Sequence, residues 1–486
     1  MVGGDGTPGI GQDGVVMLRP RSFVALLVAT AVLVAVIGTD TAAGSAPAVA
    51  AAGSVAPRPL PSPIERVGET ALPATAIVPG TVGRTSLGLS ATYDVAARLE
   101  YDRRYLLVVA MLSVRNDSGA GIDRVELNAL PGGLGILHLG HTYVDGREVD
   151  ATVADQTIVV PLGGVLPAGA STVVRTAYSA TLRTGTAGSD WMFTRTNGVV
   201  ALYRWIPWVS RARPFDRPNH GDPFVTPVSP KVTIRLTTDR PLIIATAGRR
   251  VSTSGLTQSF EATMVRDVSL AAAPDYTSGS RTVGDTLVRA YVRGGVAAGP
   301  RLDAATAALS KLEALLGPYP YPTLVVAQTG GGYGMESPGV VWIPAGVAAA
   351  NLPYLVTHEV AHQWFYGLVG NDQANEPFTD EAAADFAARR VLGMRRSSGC
   401  ATDALDRTIY AYSAACYYET IYVGGGNLID DQRRKMGDAA FWPALRAYID
   451  RYAWKLAPRG ALLDTLDGAT PLDLRAGYAA RFPRWY

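Results

Sequence analysis

Apolar and polar positions change rhythm four times along the 486-residue chain. Residues 23–37, FVALLVATAVLVAVI, carry no charge and follow Arg19 and Arg21. This run is 15 residues long, the size of a secretory apolar region and short of the ~20 residues that span a bilayer. Small-residue sites follow it, Ala46-Pro47-Ala48 and Ala48-Val49-Ala50. Residues 1–48 are therefore read as an extension ahead of an alternative start at Met17, then a signal peptide, or a membrane anchor if the segment stays uncleaved. Residues 49–85 are rich in Ala and Pro without periodicity and read as a linker.

From 86 to 278 the pattern is that of short strands. Val232, Ile234 and Leu236 alternate with polar neighbours, as a half-buried strand requires, and 157–162 and 172–178 are further strands between Gly, Pro and Asp punctuation. This region is expected to be an all-β, sandwich-like domain. Its aromatic cluster at 203–208 (YRWIPW) reads as packing. From 279 to 486 helices appear. Leu302, Ala305, Leu309, Leu312 and Leu316 share one helical face that Gly317-Pro318 terminates. A strand at 323–328 runs into the glycine-rich segment 330–334, and Asn351-Leu352-Pro353 opens another helix. Asp438 to about Trp454 is a further helix, with Phe441, Leu445, Tyr448 and Tyr452 on one side. No internal repeat is visible.

Composition narrows the chemistry by exclusion. Apolar residues are 48% and charged residues 18%, enough for large cores. A net charge of +2 without a basic run argues against a nucleic-acid partner. Two cysteines, Cys400 and Cys416, exclude a disulfide scaffold, an iron–sulfur protein and an all-cysteine metal site. Export would permit a Cys400–Cys416 disulfide; two buried free thiols are the alternative.

One segment carries chemistry. Thr357 to Phe365 reads THEVAHQWF. His358 and His362 are four apart, so on a helix their imidazoles converge on one point, and neutral histidine is a preferred zinc donor. Glu359 lies one position round, where a base acting on water should sit. Glu381, nineteen residues after His362, supplies a third ligand. Gly367 is expected to end the first helix, and Pro377 to open a second that runs to Gly393 and brings Glu381 beside the histidines. Asp385 shares a face with Glu381 and is a candidate to accept a hydrogen bond from the free nitrogen of a ligand histidine; an ordinary solvated helix charge is the alternative.

With these residues the chain resembles the aminopeptidase N-type family of zinc metallopeptidases, gluzincins with His-Glu-x-x-His and a glutamate nineteen residues on. Tyr333-Gly334-Met335-Glu336-Ser337 is similar to the family's Gly-x-Met-Glu-Asn segment on an edge strand along the substrate, with Tyr333 and Ser337 as departures. The resemblance implies that Gly334, Met335 and Glu336 bind substrate, Glu336 through its free α-amino group. A carboxylate in a glycine-rich turn also suits a cationic amine on its own chemistry. Ile421-Tyr422-Val423-Gly424-Gly425 resembles the segment whose tyrosine stabilises the tetrahedral intermediate; Tyr410, Tyr412, Tyr417 and Tyr418 compete with Tyr422.

The resemblance thus implies a multidomain protein: an N-terminal β domain at 86–278 and a mainly α, thermolysin-like gluzincin catalytic domain at 279–486, without the C-terminal helical-repeat domain of many relatives. It implies one Zn2+ per chain and an aminopeptidase acting on peptides with a free N-terminus. An endopeptidase on the same centre and an inactive secreted peptide-binding relative are the alternatives. Location is expected to be secreted or extracytoplasmic, with membrane association through residues 23–37 if they remain. Oligomeric state is left open.

Overall fold

The computed structural model describes residues 76–215, 221–400 and 402–486. The apolar segment 23–37, the cleavage sites and most of the expected linker lie outside the described residues. Among the described residues no helix is long and apolar enough to cross a membrane.

The N-terminal part is built of β-sheets. The largest has eight strands in the order Arg249–Ser254, Thr257–Ala262, Val232–Thr238, Leu89–Glu100, Tyr105–Asn116, Ser171–Thr181, Leu137–Val144, Arg147–Val149. Leu89–Glu100 and Val232–Thr238 alternate buried and part-exposed residues, which gives the sheet one core-facing side. All its pairings are antiparallel except that of these two strands. Two four-stranded sheets accompany it, one around Ile122–Asn128 and Thr157–Leu166, the other around Val199–Leu202 and Leu270–Ala273.

Residues 76–85, inside the stretch read as a linker, are fastened to this part. Val78 pairs with Val165, and the Asp123 carboxylate accepts from the Thr81 hydroxyl at 2.7 Å and from the amides of Val82, Gly83 and Arg84 at 2.7, 2.5 and 2.9 Å. Composition is blind to such a contact, because the acceptor lies about forty residues away.

The C-terminal part is mostly helical around a five-stranded sheet, ordered Thr277–Val283, Thr286–Val292, Thr323–Thr329, Val340–Pro344, Met335–Ser337. The helix Gly299–Leu316 crosses over between Thr286–Val292 and the parallel strand Thr323–Thr329. It buries the five residues expected from its sequence, Leu302, Ala305, Leu309, Leu312 and Leu316. Both central strands are buried on two sides, as parallel strands covered by helices are. Met335–Ser337 is the edge strand, antiparallel to Val340–Pro344 with Glu336 opposite Val341.

The helix opened by Asn351 spans Leu352–Ala361 and stops well before Gly367. The chain doubles back there: Gly367 N–H donates to His362 O at 2.8 Å and Tyr366 N–H to Val369 O at 2.8 Å, with Tyr366 at φ 108°. Gly367 serves this return turn rather than the helix end. Pro377 does open the second helix. Its first turn, Phe378–Ala382, is wide and five-fold bonded; a regular helix, Ala383–Leu392, follows and ends on left-handed Gly393. A second wide turn, Tyr418–Gly425, leads into the helix Gly426–Met436. Such turns concentrate at functional sites because they re-aim side chains within a helix.

Candidate metal centre and active site

The histidine pair and Glu381 converge. His358 and His362 stand one turn apart with perpendicular rings, centroids 4.7 Å apart. Their Nε2 atoms are 3.2 Å from each other, and each is 3.3 Å from Glu381 Oε2. Donors placed about 2.0–2.1 Å from a tetrahedral zinc ion are about 3.3–3.4 Å apart, so three edges of that polyhedron are already present. Two imidazole nitrogens and one carboxylate oxygen are also a hydrolytic zinc donor set. All three side chains are buried. Burial opposes ionisation of Glu381, yet the two imidazoles 3.3 Å away outweigh it and hold the carboxyl below its usual range. The residues fit a zinc ion.

The outer contacts correct one expectation. Asp385 does not reach a ligand histidine: it pairs with Arg389 at 2.6 Å and accepts from the Tyr354 hydroxyl at 2.5 Å. Asp380 takes that place, accepting from His362 Nδ1 at 2.8 Å. Four residues of helix carry a side chain about 6 Å along the axis, so Asp385 is already a turn away from the centre. Asp380, beside Glu381 in the wide first turn, still faces it. His358 Nδ1 is buried and has no hydrogen-bond partner among the described residues.

Sequence reasoning also missed Gln373. Its amide nitrogen donates to Asp380 Oδ2 at 2.7 Å and to Glu336 Oε1 at 3.3 Å, and its oxygen accepts from Arg204 Nη2 at 3.2 Å. Arg204 is the buried cation of the aromatic cluster read as packing; it lies 3.9 Å over Phe224. No motif marks Gln373. The aromatic run at 203–208 was the only signal for Arg204.

Glu359 and Glu336 share the centre with His362, each offering an atom within 4.8 Å of the others. Burial pushes the Glu359 carboxyl up to about 7 against the pull of His358 and His362. Burial, reinforced by Asp222, likewise raises Glu336. Gly334 allows this approach: a Cβ there would stand 2.1 Å from Glu359 Oε1. Met335 is buried beside it. Ser337, where the resemblance expects asparagine, braces the strand from behind: its hydroxyl donates to Asp267, and its carbonyl accepts from Gln363 Nε2 at 3.1 Å.

Among the tyrosines, Tyr422 lies nearest the centre. Its ring stacks 5.4 Å from His358, and burial, reinforced by the nearby Glu381 carboxylate, raises its hydroxyl well above the usual tyrosine range. The hydroxyls of Tyr410 and Tyr412 donate elsewhere, to Pro214 O at 2.9 Å and Ala404 O at 2.8 Å. Tyr418 accepts from Arg396. Tyr417 is 5.9 Å from Tyr422, ring to ring, one layer further out. Cys400 and Cys416 form a disulfide with Cα atoms 5.8 Å apart, tying the segment after the second helix to the start of the Tyr422 turn.

The fold, a multi-sheet β part followed by a helical part, is that of M1 zinc metallopeptidases. The chain superposes on an M1 zinc metallopeptidase from Deinococcus radiodurans with a TM-score of 0.66 at 18% identity, over 85% of this chain and 97% of that one. A variant of that enzyme bound to a Tyr-Ser-Ala substrate gives the same values. A two-domain M1 zinc metallopeptidase variant bound to L-tryptophan gives 0.65 at 19% identity, over 84% and 97% of the two chains. No protein-family model and no curated protein matches the sequence.

Proposed function

We propose that this chain is a zinc-dependent aminopeptidase. The observation that carries the reading is the cluster itself: three donors at zinc spacing, with Glu359 and Glu336 both within 4.8 Å of the His362 nitrogen. His358, His362 and Glu381 would hold the ion. When bound, zinc supplies an acidified water nucleophile and polarises the scissile carbonyl.

Glu336, on the edge strand, anchors the substrate ammonium, so that the first peptide bond lies over the centre. Glu359 takes a proton from the attacking water and passes it to the leaving amine, help worth roughly 10²–10⁴-fold. The Tyr422 hydroxyl donates to the developing oxyanion. Asp380 holds the tautomer and ring orientation of His362. The Tyr-Ser-Ala substrate bound by the Deinococcus radiodurans variant is in keeping with a peptide substrate here. The apolar segment 23–37, together with the Cys400–Cys416 disulfide, supports export.

The test is hydrolysis of a panel of amino-acid amides beside their N-acetyl counterparts, with and without a chelator. The reading expects release from free-amine substrates alone, abolished by chelation and restored by zinc. Equal cleavage of the acetylated series would make the chain an endopeptidase instead. Glu359→Gln should keep zinc and lose nearly all turnover.

A further inference from the structure

We infer that Arg396 is a recognition site for the C-terminal carboxylate of the substrate, which makes short free-acid peptides the preferred class. This rests on the aminopeptidase reading and extends it.

The two ligand histidines face opposite ends of the site. His362 turns toward Asp380, Gln373 and Glu336, the acidic end, where the ammonium belongs. His358 turns toward Tyr422 and Tyr354, with ring centroids 5.4 and 6.0 Å away. A peptide anchored by its amine at Glu336, with its first carbonyl over the centre, sends its remaining residues toward that second end. There the Arg396 guanidinium lies 4.2 Å over the Tyr354 ring. The two steps put it no more than about 10 Å from the His358 ring, a span of about three extended residues at 3.3–3.6 Å each.

Arg396 is half-buried and held in place. Its carbonyl accepts from Asn427 Nδ2 at 3.0 Å, Ser398 Oγ donates to Glu419 O at 2.6 Å, and the disulfide closes the loop just beyond. The two cations in the last turn of the preceding helix are paired, Arg389 with Asp385 at 2.6 Å and Arg390 with Asp438 at 3.7 Å, while Arg395 is exposed. Arg396 donates to the Tyr418 hydroxyl and forms no ion pair among the described residues. A guanidinium offers five N–H donors in a fork that matches a carboxylate. The site therefore carries an acidic end and a basic end within the span of a short zwitterionic peptide of up to about four residues.

The experiment compares kcat/KM of the zinc-loaded full chain on a tripeptide, on the same tripeptide with a C-terminal amide, and on the anilide of its first residue. The free acid should exceed the amide by about tenfold or more, chiefly through KM, because a charge-assisted bidentate pair is lost on amidation. Arg396→Met should bring that ratio close to one, and Arg396→Lys should restore part of it. Equal rates on free acid and amide in the wild-type protein overturn the carboxylate site, whether or not the variants fold. So does an unchanged ratio in Arg396→Met. Hydrolysis of none of the three substrates defeats the aminopeptidase reading and this inference with it.

Discussion

Asp380 and Asp385 give opposite predictions, and the contrast tests how the metal centre is built. Asp380 accepts from His362 Nδ1 at 2.8 Å with one oxygen and from Gln373 Nε2 at 2.7 Å with the other. In Asp380→Asn the amide oxygen can keep the histidine, but its NH2 then meets the Gln373 NH2. Turning Gln373 over resolves that conflict and creates another, because its NH2 would face the Arg204 guanidinium, which now donates to it at 3.2 Å. One donor stays unmatched in every arrangement. Losing such an outer contact typically costs 10–100-fold in metal affinity, about 1.4–2.7 kcal/mol. Competition with a chromophoric chelator should show zinc affinity reduced by that factor, and excess zinc should recover much of the activity. Asp385→Asn should leave zinc affinity within about twofold and lower Tm instead, since breaking a buried pair costs about 3–5 kcal/mol and both partners here are buried. If Asp385→Asn lost zinc while Asp380→Asn kept it, this account of the centre would be wrong.

Three further outcomes follow from single contacts. Gly334→Ala would place a methyl 2.1 Å from Glu359 Oε1 and push the base aside, lowering kcat by about 10²-fold; a zinc titration should show affinity close to wild type. Tyr422→Phe should lower kcat by about 10²–10³-fold, the usual effect of losing one oxyanion donor, with little change in KM; wild-type kinetics would move the role to a neighbouring tyrosine. Replacing both Cys400 and Cys416 with serine opens a loop of 16 residues. That should lower stability to denaturant by about 3 kcal/mol and loosen the Arg396 segment, visible as faster amide exchange at 394–400.

Much of the candidate site was legible from spacing. An i, i+4 histidine pair on a helix must share a face, so His358 and His362 converge whatever surrounds them. Pro377 and Gly393 bracket the second helix by their own backbone preferences. The alternating strand at Val232–Thr238 and the apolar face of Gly299–Leu316 needed no tertiary information either, because burial follows the period of the element. With two cysteines only one intrachain pairing exists, and the chain forms it.

The remainder depended on which distant segments meet. Asp380 displaced Asp385 because the wide turn at Phe378–Ala382 aims the earlier carboxylate at His362, and no residue pattern announces that turn. Gln373 and Arg204 became part of the site only when a loop and a strand end 169 positions apart came together. Tyr422 stood out from four neighbouring tyrosines by its place against His358 and Glu381. Local geometry repeats with the helix or strand period and is written into spacing. Hydrogen bonds across the fold have no period; they are settled when packing brings their donors and acceptors within 3 Å or so of each other.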